Sequence, residues 1–158
     1  MCRYHLKLRS LAIVMIGLGL LAAAGLEVWA VARAQGPNPQ PIAVGFSSSS
    51  YTVGEGDGTV TLTVTLSEAS SGTVTVDYST SDVTAVSEPS DAADYVMSVG
   101  QLVFQPGQTS KTIVITLIDD TCCEGNETFV VNLANAVGAN LGSPSTATVT
   151  LLDDDSCP

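Results

Sequence analysis

Base is scarce in this chain. Of 158 residues, five are Lys or Arg against 16 Asp or Glu, a formal net charge of −11. A phosphate backbone would be repelled by that balance, which excludes nucleic acid as a partner. Four of the five bases (Arg3, Lys7, Arg9, Arg33), the single His5 and the single Trp29 all fall in residues 1–34. Beyond that point there is no imidazole, so Ser–His, Cys–His and His-ligated zinc chemistry have no residue to use. No glycine loop followed by Lys is present to cradle a phosphate. The six remaining aromatics (Phe46, Tyr51, Tyr78, Tyr95, Phe104, Phe129) are scattered through strand-like runs and form no sugar platform for a two-carboxylate glycosidase. The expectation is a protein that is not an enzyme.

What is present divides in two. Arg3, His5, Lys7 and Arg9 precede an uncharged apolar run from Leu11 to Leu26, followed by Ala32-Arg33-Ala34. This is the charged, apolar and small-residue order of a secretory signal peptide over residues 1–34, cut after Ala34. An uncleaved anchor is the alternative, because Leu11 to Ala32 is 22 residues, enough to span a bilayer if Glu27 is tolerated. Either way the remainder is expected outside the cytoplasm, secreted or held at a membrane by residues 11–32. Residues 35–41 (QGPNPQP) read as a Pro-rich linker.

From residue 42 the dominant period is two. Val60, Leu62, Val64 and Leu66 alternate with Thr59, Thr61, Thr63 and Thr65, giving one apolar and one hydroxylic face. Similar inward sets are Val74-Val76-Tyr78, Ile113-Ile115-Leu117, Phe129-Val131-Leu133 and Ala147-Val149-Leu151, with a short run at Leu102–Phe104. Adding Ile42–Val53, with a break at Ser47–Ser50, predicts seven strands, A to G. Their turn spacing predicts an all-β, immunoglobulin-like Greek-key β-sandwich, preceded by the hydrophobic signal helix.

Strands that run alternately up and down send the A–B, C–D and E–F connections, and the segment after G, to one end. That end receives Glu55, Asp57, Asp82, Glu88, Asp91, Asp94, Asp119, Asp120, Glu124, Glu127, Asp153, Asp154 and Asp155, 13 of the 15 acids beyond residue 34. Lys111 is the only base in that part of the chain. Two carboxylates about 5 Å apart repel by roughly 3 kcal/mol at an effective dielectric of 20. Raised pKa values or a bound cation relieve this. A hard, oxygen-ligated dication, Ca²⁺ before Mg²⁺, suits a loop-built carboxylate cup. A solvated acidic surface that serves solubility alone is the competing account.

Specific strings accumulate along this frame. They are Glu55-Gly56-Asp57-Gly58 before the long Thr/Val strand, Asp77–Asp82 leading to Thr84-Ala85, Asp94-Tyr95, and Gly100–Gly107. Ile118-Asp119-Asp120, Glu124–Phe129, Leu141–Thr150 and Asp153-Asp154-Asp155 follow. In this order and spacing, residues 42–155 resemble a Calx-beta domain, leaving 156–158 as a short tail. The resemblance implies an immunoglobulin-like sandwich with calcium held at strand-end loops, as in sodium–calcium exchangers, an integrin subunit and bacterial extracellular proteins. Carried over by position, it implies ligands from Glu55, Asp82, Asp119, Asp120, the backbone carbonyl of Cys122, Glu124, Glu127, Asp153, Asp154 and Asp155. The Asp94-Tyr95 pair is expected to serve packing and turn formation more than ligation, and Asp57, Glu88 and Asp91 to stand outside the ligand set. Thr121-Cys122-Cys123 replaces a further acid and an apolar pair found in exchanger domains, which implies fewer ions.

Cys122, Cys123 and Cys157 are an odd set in an oxidising compartment, Cys2 departing with the leader. Their positions favour a bridge from Cys157 to one of the vicinal pair, Cys123 being preferred. A vicinal bridge, an intermolecular bridge and three free thiols stay open. Asn126-Glu127-Thr128 is a formal glycosylation sequon. The functional expectation is a secreted module in which Ca²⁺ is structural, serving adhesion or cell communication with other extracellular or cell-surface proteins. The alternative is a metal-independent adhesion module.

Overall fold

Alternating Val/Thr runs put β-branched residues on a pleated, half-buried surface, where both their stiffness and their shape are favourable. In a computed structural model, which describes residues 41–89 and 92–155, these runs become nine strands. They are β1 (Ala43–Phe46), β2 (Ser50–Gly54), β3 (Thr59–Leu66), β4 (Val74–Asp82), β5 (Val99–Phe104), β6 (Ser110–Thr116), β7 (Glu127–Val137), β8 (Asn140–Leu141) and β9 (Thr146–Leu152), with a 3₁₀ turn at Glu55–Asp57. The leader, residues 35–40 of the linker, Ser90, Asp91 and the 156–158 tail with Cys157 lie outside the described residues.

Two sheets face one another, one ordered β6-β3-β1-β8 and the other β2-β9-β7-β4-β5. The pairings are antiparallel except β1 with β8 and β2 with β9, which are parallel. The fold is the immunoglobulin-like β-sandwich that the periodicity predicts. The expected seven strands become nine for two local reasons. Strand A divides at the serine run, where the Ser48 hydroxyl donates to the Ser50 carbonyl at 2.8 Å and accepts from the Ser50 amide at 3.3 Å. This side-chain turn lifts the chain from one sheet to the other. The other addition is the two-residue β8, which lies parallel against β1.

The inward sets close the core. Leu62, Val64, Val74, Val76, Ile115, Phe129, Val131, Ala147 and Val149 are all fully or almost fully buried. The registers also fix the strand ends. Gly54 lies opposite Leu152, Glu127 opposite Leu151, Asp82 opposite Phe129, and Thr59 opposite Thr116. The segments after β2, β4, β6 and β9, and the start of β7, therefore emerge together. Lys111 pairs with Val64 near the far end of β6.

Candidate metal centre

Each element delivers its acids by a local device. After β2, the Asp57 carboxylate accepts the Gly54 amide at 2.9 Å and closes the 3₁₀ turn, which turns Glu55 into a buried position. Asp57 is thus occupied in shaping the turn. A Cβ on Gly56 would stand 3.4 Å from Asp154 Oδ2 and 3.7 Å from Asp119 Oδ1, which shows that carboxylates from two other segments close over the turn.

The described residues between β4 and β5 form no long strand, yet they are tightly tied. Tyr95 bridges to Ser87 and to Leu117. Its ring is fully buried and stacks on Phe129, with centroids 4.0 Å apart and planes 13° from parallel. Because neighbouring side chains in an extended segment point to opposite sides, the inward Tyr95 directs Asp94 toward the acidic end. Asp94 is 6% exposed. Its Oδ2 accepts the Val86 amide at 2.6 Å, and its carbonyl accepts the Ile118 amide at 2.9 Å.

One carboxylate oxygen each from Asp94, Glu124 and Glu127 lies within 4.8 Å of the others. Glu124 also shares a second group of the same span with an oxygen of Asp120 and the sulfur of Cys122. The Cys122 amide donates to Asp120 Oδ1 at 2.6 Å. Asp153 ties the β6–β7 connection to the chain after β9. Its Oδ2 accepts the amides of Glu124 (3.1 Å) and Gly125 (2.7 Å), and its Oδ1 accepts the Asp155 amide at 2.9 Å.

The electrostatics follow from this crowding. Burial, then a hydrogen bond to Asp94 and the charges of Asp94, Glu124 and Glu55, push Glu127 up to about 7. Glu55 is raised by burial and by neighbouring acids, against the pull of the Asp120 amide. Glu124 and Asp155 are likewise raised, by desolvation first and then by surrounding carboxylates. Asp153 moves the other way, because backbone amides hold its anion. Asp155 Oδ2 is buried and has no hydrogen-bond partner. Lys111 being remote, no base offsets this pole among the described residues.

Of the expected ligands, Glu55, Asp119, Asp120, Glu124, Glu127, Asp153, Asp154 and Asp155 gather at this pole, Asp153 also accepting backbone amides. At the end of β4, Asp82 Oδ1 accepts the Tyr95 hydroxyl and the Ser87 amide at 3.2 Å, and the Tyr95 bond lowers its pKa. Among the described residues between β4 and β5, Asp94 joins the cluster, where the resemblance implied packing and turn formation more than ligation. Glu88 is exposed, and Asp77 sits on the outer sheet face between Gln101 (2.8 Å) and Asn135 (3.0 Å). Cys123 is disulfide-bonded. Cys122 is a free, exposed thiol, so the vicinal bridge does not form. The acids around Cys122, Asp120 foremost, push its thiol pKa up.

The family model of the Calx-beta domain matches residues 38–155. This chain belongs to the Calx-beta domain family. Among curated proteins, this Calx-beta domain is 39% identical over 103 residues to sodium/calcium exchanger 1 of Mus musculus and 40% identical over 101 residues to sodium/calcium exchanger 2 of Rattus norvegicus. Each match covers 54% of this chain but 10% of the exchanger, so the chain spans about a tenth of those relatives. Among solved structures, the apo-form Calx CBD1 domain superposes with a TM-score of 0.67 at 36% identity, covering 73% of this chain and 100% of that one. The calcium binding domain CBD12 of CALX1.1 superposes with a TM-score of 0.66 at 35% identity, covering 73% of this chain and 47% of that one.

Proposed function

We propose that this Calx-beta domain binds Ca²⁺ at its acidic end and that the ion is structural. The observation that carries the reading is the convergence of Asp94, Glu124 and Glu127 within 4.8 Å, with no base beside them among the described residues. The donor set fits the ion. Calcium takes 6–8 oxygens and accepts carboxylates in irregular arrangements, and Glu55, Asp120 and Asp155 add oxygens to the three. The orphaned Asp155 Oδ2 is the kind of buried anion that a cation satisfies. Asp119 and Asp154, which meet over Gly56, extend the same pole.

Bound calcium would cancel the repulsion and hold the β6–β7 connection against the chain after β9. The role is non-catalytic. The leader-like first 34 residues and the disulfide-bonded Cys123 support an extracellular setting, where such a module would rigidify an adhesive or communicating protein. Binding to the folded state alone stabilises by about 2.7 kcal/mol at a hundredfold excess over Kd. Thermal melts and calorimetric titration of the purified protein with CaCl₂ and with chelator test this. A rise in Tm with calcium is expected. An unchanged Tm and no heat at millimolar calcium would leave the metal-independent module in its place.

A further inference from the structure

The acidic end does not use the open edges of the sandwich, and one edge stands apart. A sheet edge presents unpaired N–H and C=O groups, and soluble proteins blunt such edges with charge, proline or short length. The edge strand β6 carries Lys111, and β8 has two residues. The edge strand β2 shows solvent only hydroxylic side chains at Ser50 and Thr52, and it runs directly into the acidic turn. The edge strand β5 (VGQLVF) has none of these protections. It is uncharged, Val99 is 71% exposed and Val103 37%, and Met97 just before it is 58% exposed.

The hydrogen-bond phase of β5 is readable. The Thr80 amide donates to the Ser98 carbonyl at 2.9 Å, and the Ser98 amide returns to Thr80 Oγ1 at 3.0 Å. In an antiparallel pair, bonded and non-bonded positions alternate. With Tyr78 opposite Gly100 and Val76 opposite Leu102, the even-numbered residues of β5 face β4. The N–H and C=O groups of Val99, Gln101 and Val103 therefore face outward.

We infer that β5 pairs antiparallel with β5 of a second copy of this chain, about a two-fold axis at Gln101. In that register Val99 lies opposite Val103 of the partner, Gln101 opposite itself, and every outward backbone group of the three finds a mate. The exposed valines then meet on one sheet face, beside a depression of about 500 Å³ floored by Asp77 and Ser79. The interface is isologous, as a two-fold requires. Among the orientations open to a second copy, charge selects this one. The acidic pole lies at the Val99 end of β5, because β4 ends there at Asp82. Antiparallel pairing sends the two poles to opposite ends of the joined sheet, and the paired strands themselves are uncharged, Asp77 on the neighbouring β4 being the acid beside the seam.

Sedimentation equilibrium tests this on the full protein, with Cys122 alkylated so that disulfide-linked pairs do not count. The wild type is expected to approach twice the monomer mass at high micromolar concentration, with calcium or with chelator. Val99→Lys is expected to return it to monomer mass, although the added base reduces the net repulsion between chains. Val114→Lys, at an exposed position on β6, is expected to leave the dimer intact. Circular dichroism melts establish that both variants are folded. A wild type that stays monomeric at millimolar concentration overturns the inference, as does a dimer that Val99→Lys leaves unchanged.

Discussion

Glu127 concentrates the electrostatic problem in one side chain. Its pKa stands near 7 against an ordinary 4.5, with burial the main cause and Asp94 the next. An acid whose folded pKa is raised holds extra protons in the folded state between those two values, so stability falls as pH climbs through that window. Without calcium, the domain is therefore expected to melt higher at about pH 5.5 than at about pH 7.5. Asp77, Asp82 and Asp153 are shifted downward, so their contribution is lost only as pH falls below 3.8, outside this window. Calcium requires the ionised form, so the loaded protein is expected to show the opposite trend across the same range. Glu127→Gln is the sharper version of the experiment. It should raise Tm in chelator, flatten the pH dependence, and weaken calcium binding by at least about tenfold, the equivalent of about 1.4 kcal/mol. A chelated wild type whose Tm rises steadily from about pH 5.5 to about 7.5 would count against Glu127 as the group under strain.

Among the elements, the segment from Val83 to Ser98 depends most on one anchor. Tyr95 stacks on Phe129, bonds Asp82 through its hydroxyl, and by its inward direction sets Asp94 toward the cluster. Tyr95→Phe removes the hydroxyl alone and should cost about 1 kcal/mol in chemical denaturation, leaving the calcium response in place. Tyr95→Ala removes the ring and should cost roughly 3–5 kcal/mol, with loss of the calcium-induced rise in Tm because Asp94 is no longer held. Equal effects of the two would show that the ring does not position Asp94. This segment also marks where sequence legibility ends. The strands of TVTLTVTL type were readable because period two is a property of adjacent residues, and up-and-down parity then brought most acids to one end. The Ser47–Ser50 break was visible for the same local reason. Tyr95 bonds Asp82 from 13 residues further on, and its direction brings Asp94 to the other acids. Neither fact has a local periodic signature. The two-residue β8, paired with a strand nearly a hundred positions away, has none either.

For the molecule as a whole, the sandwich core is indifferent to charge while one pole is not, so the two respond to different reagents. At about 0.1 M salt the Debye length is about 10 Å, longer than the spacing within the acid cluster, and at about 1 M it is about 3 Å. Added NaCl should therefore raise Tm in chelator by screening carboxylate from carboxylate. With calcium bound, the charges are compensated by contact, and the same salt should change Tm far less. Salt also strengthens apolar burial slightly, but that effect acts on both forms and drops out of the difference between them. The quantity to follow is the calcium-induced Tm shift, measured by scanning calorimetry at both ionic strengths. It should shrink as salt rises, because screening does part of what the ion does. A calcium-induced shift that is constant with salt would mean that the ion acts by ordering the loops alone. The crowded carboxylates would then not be what makes the domain need a cation.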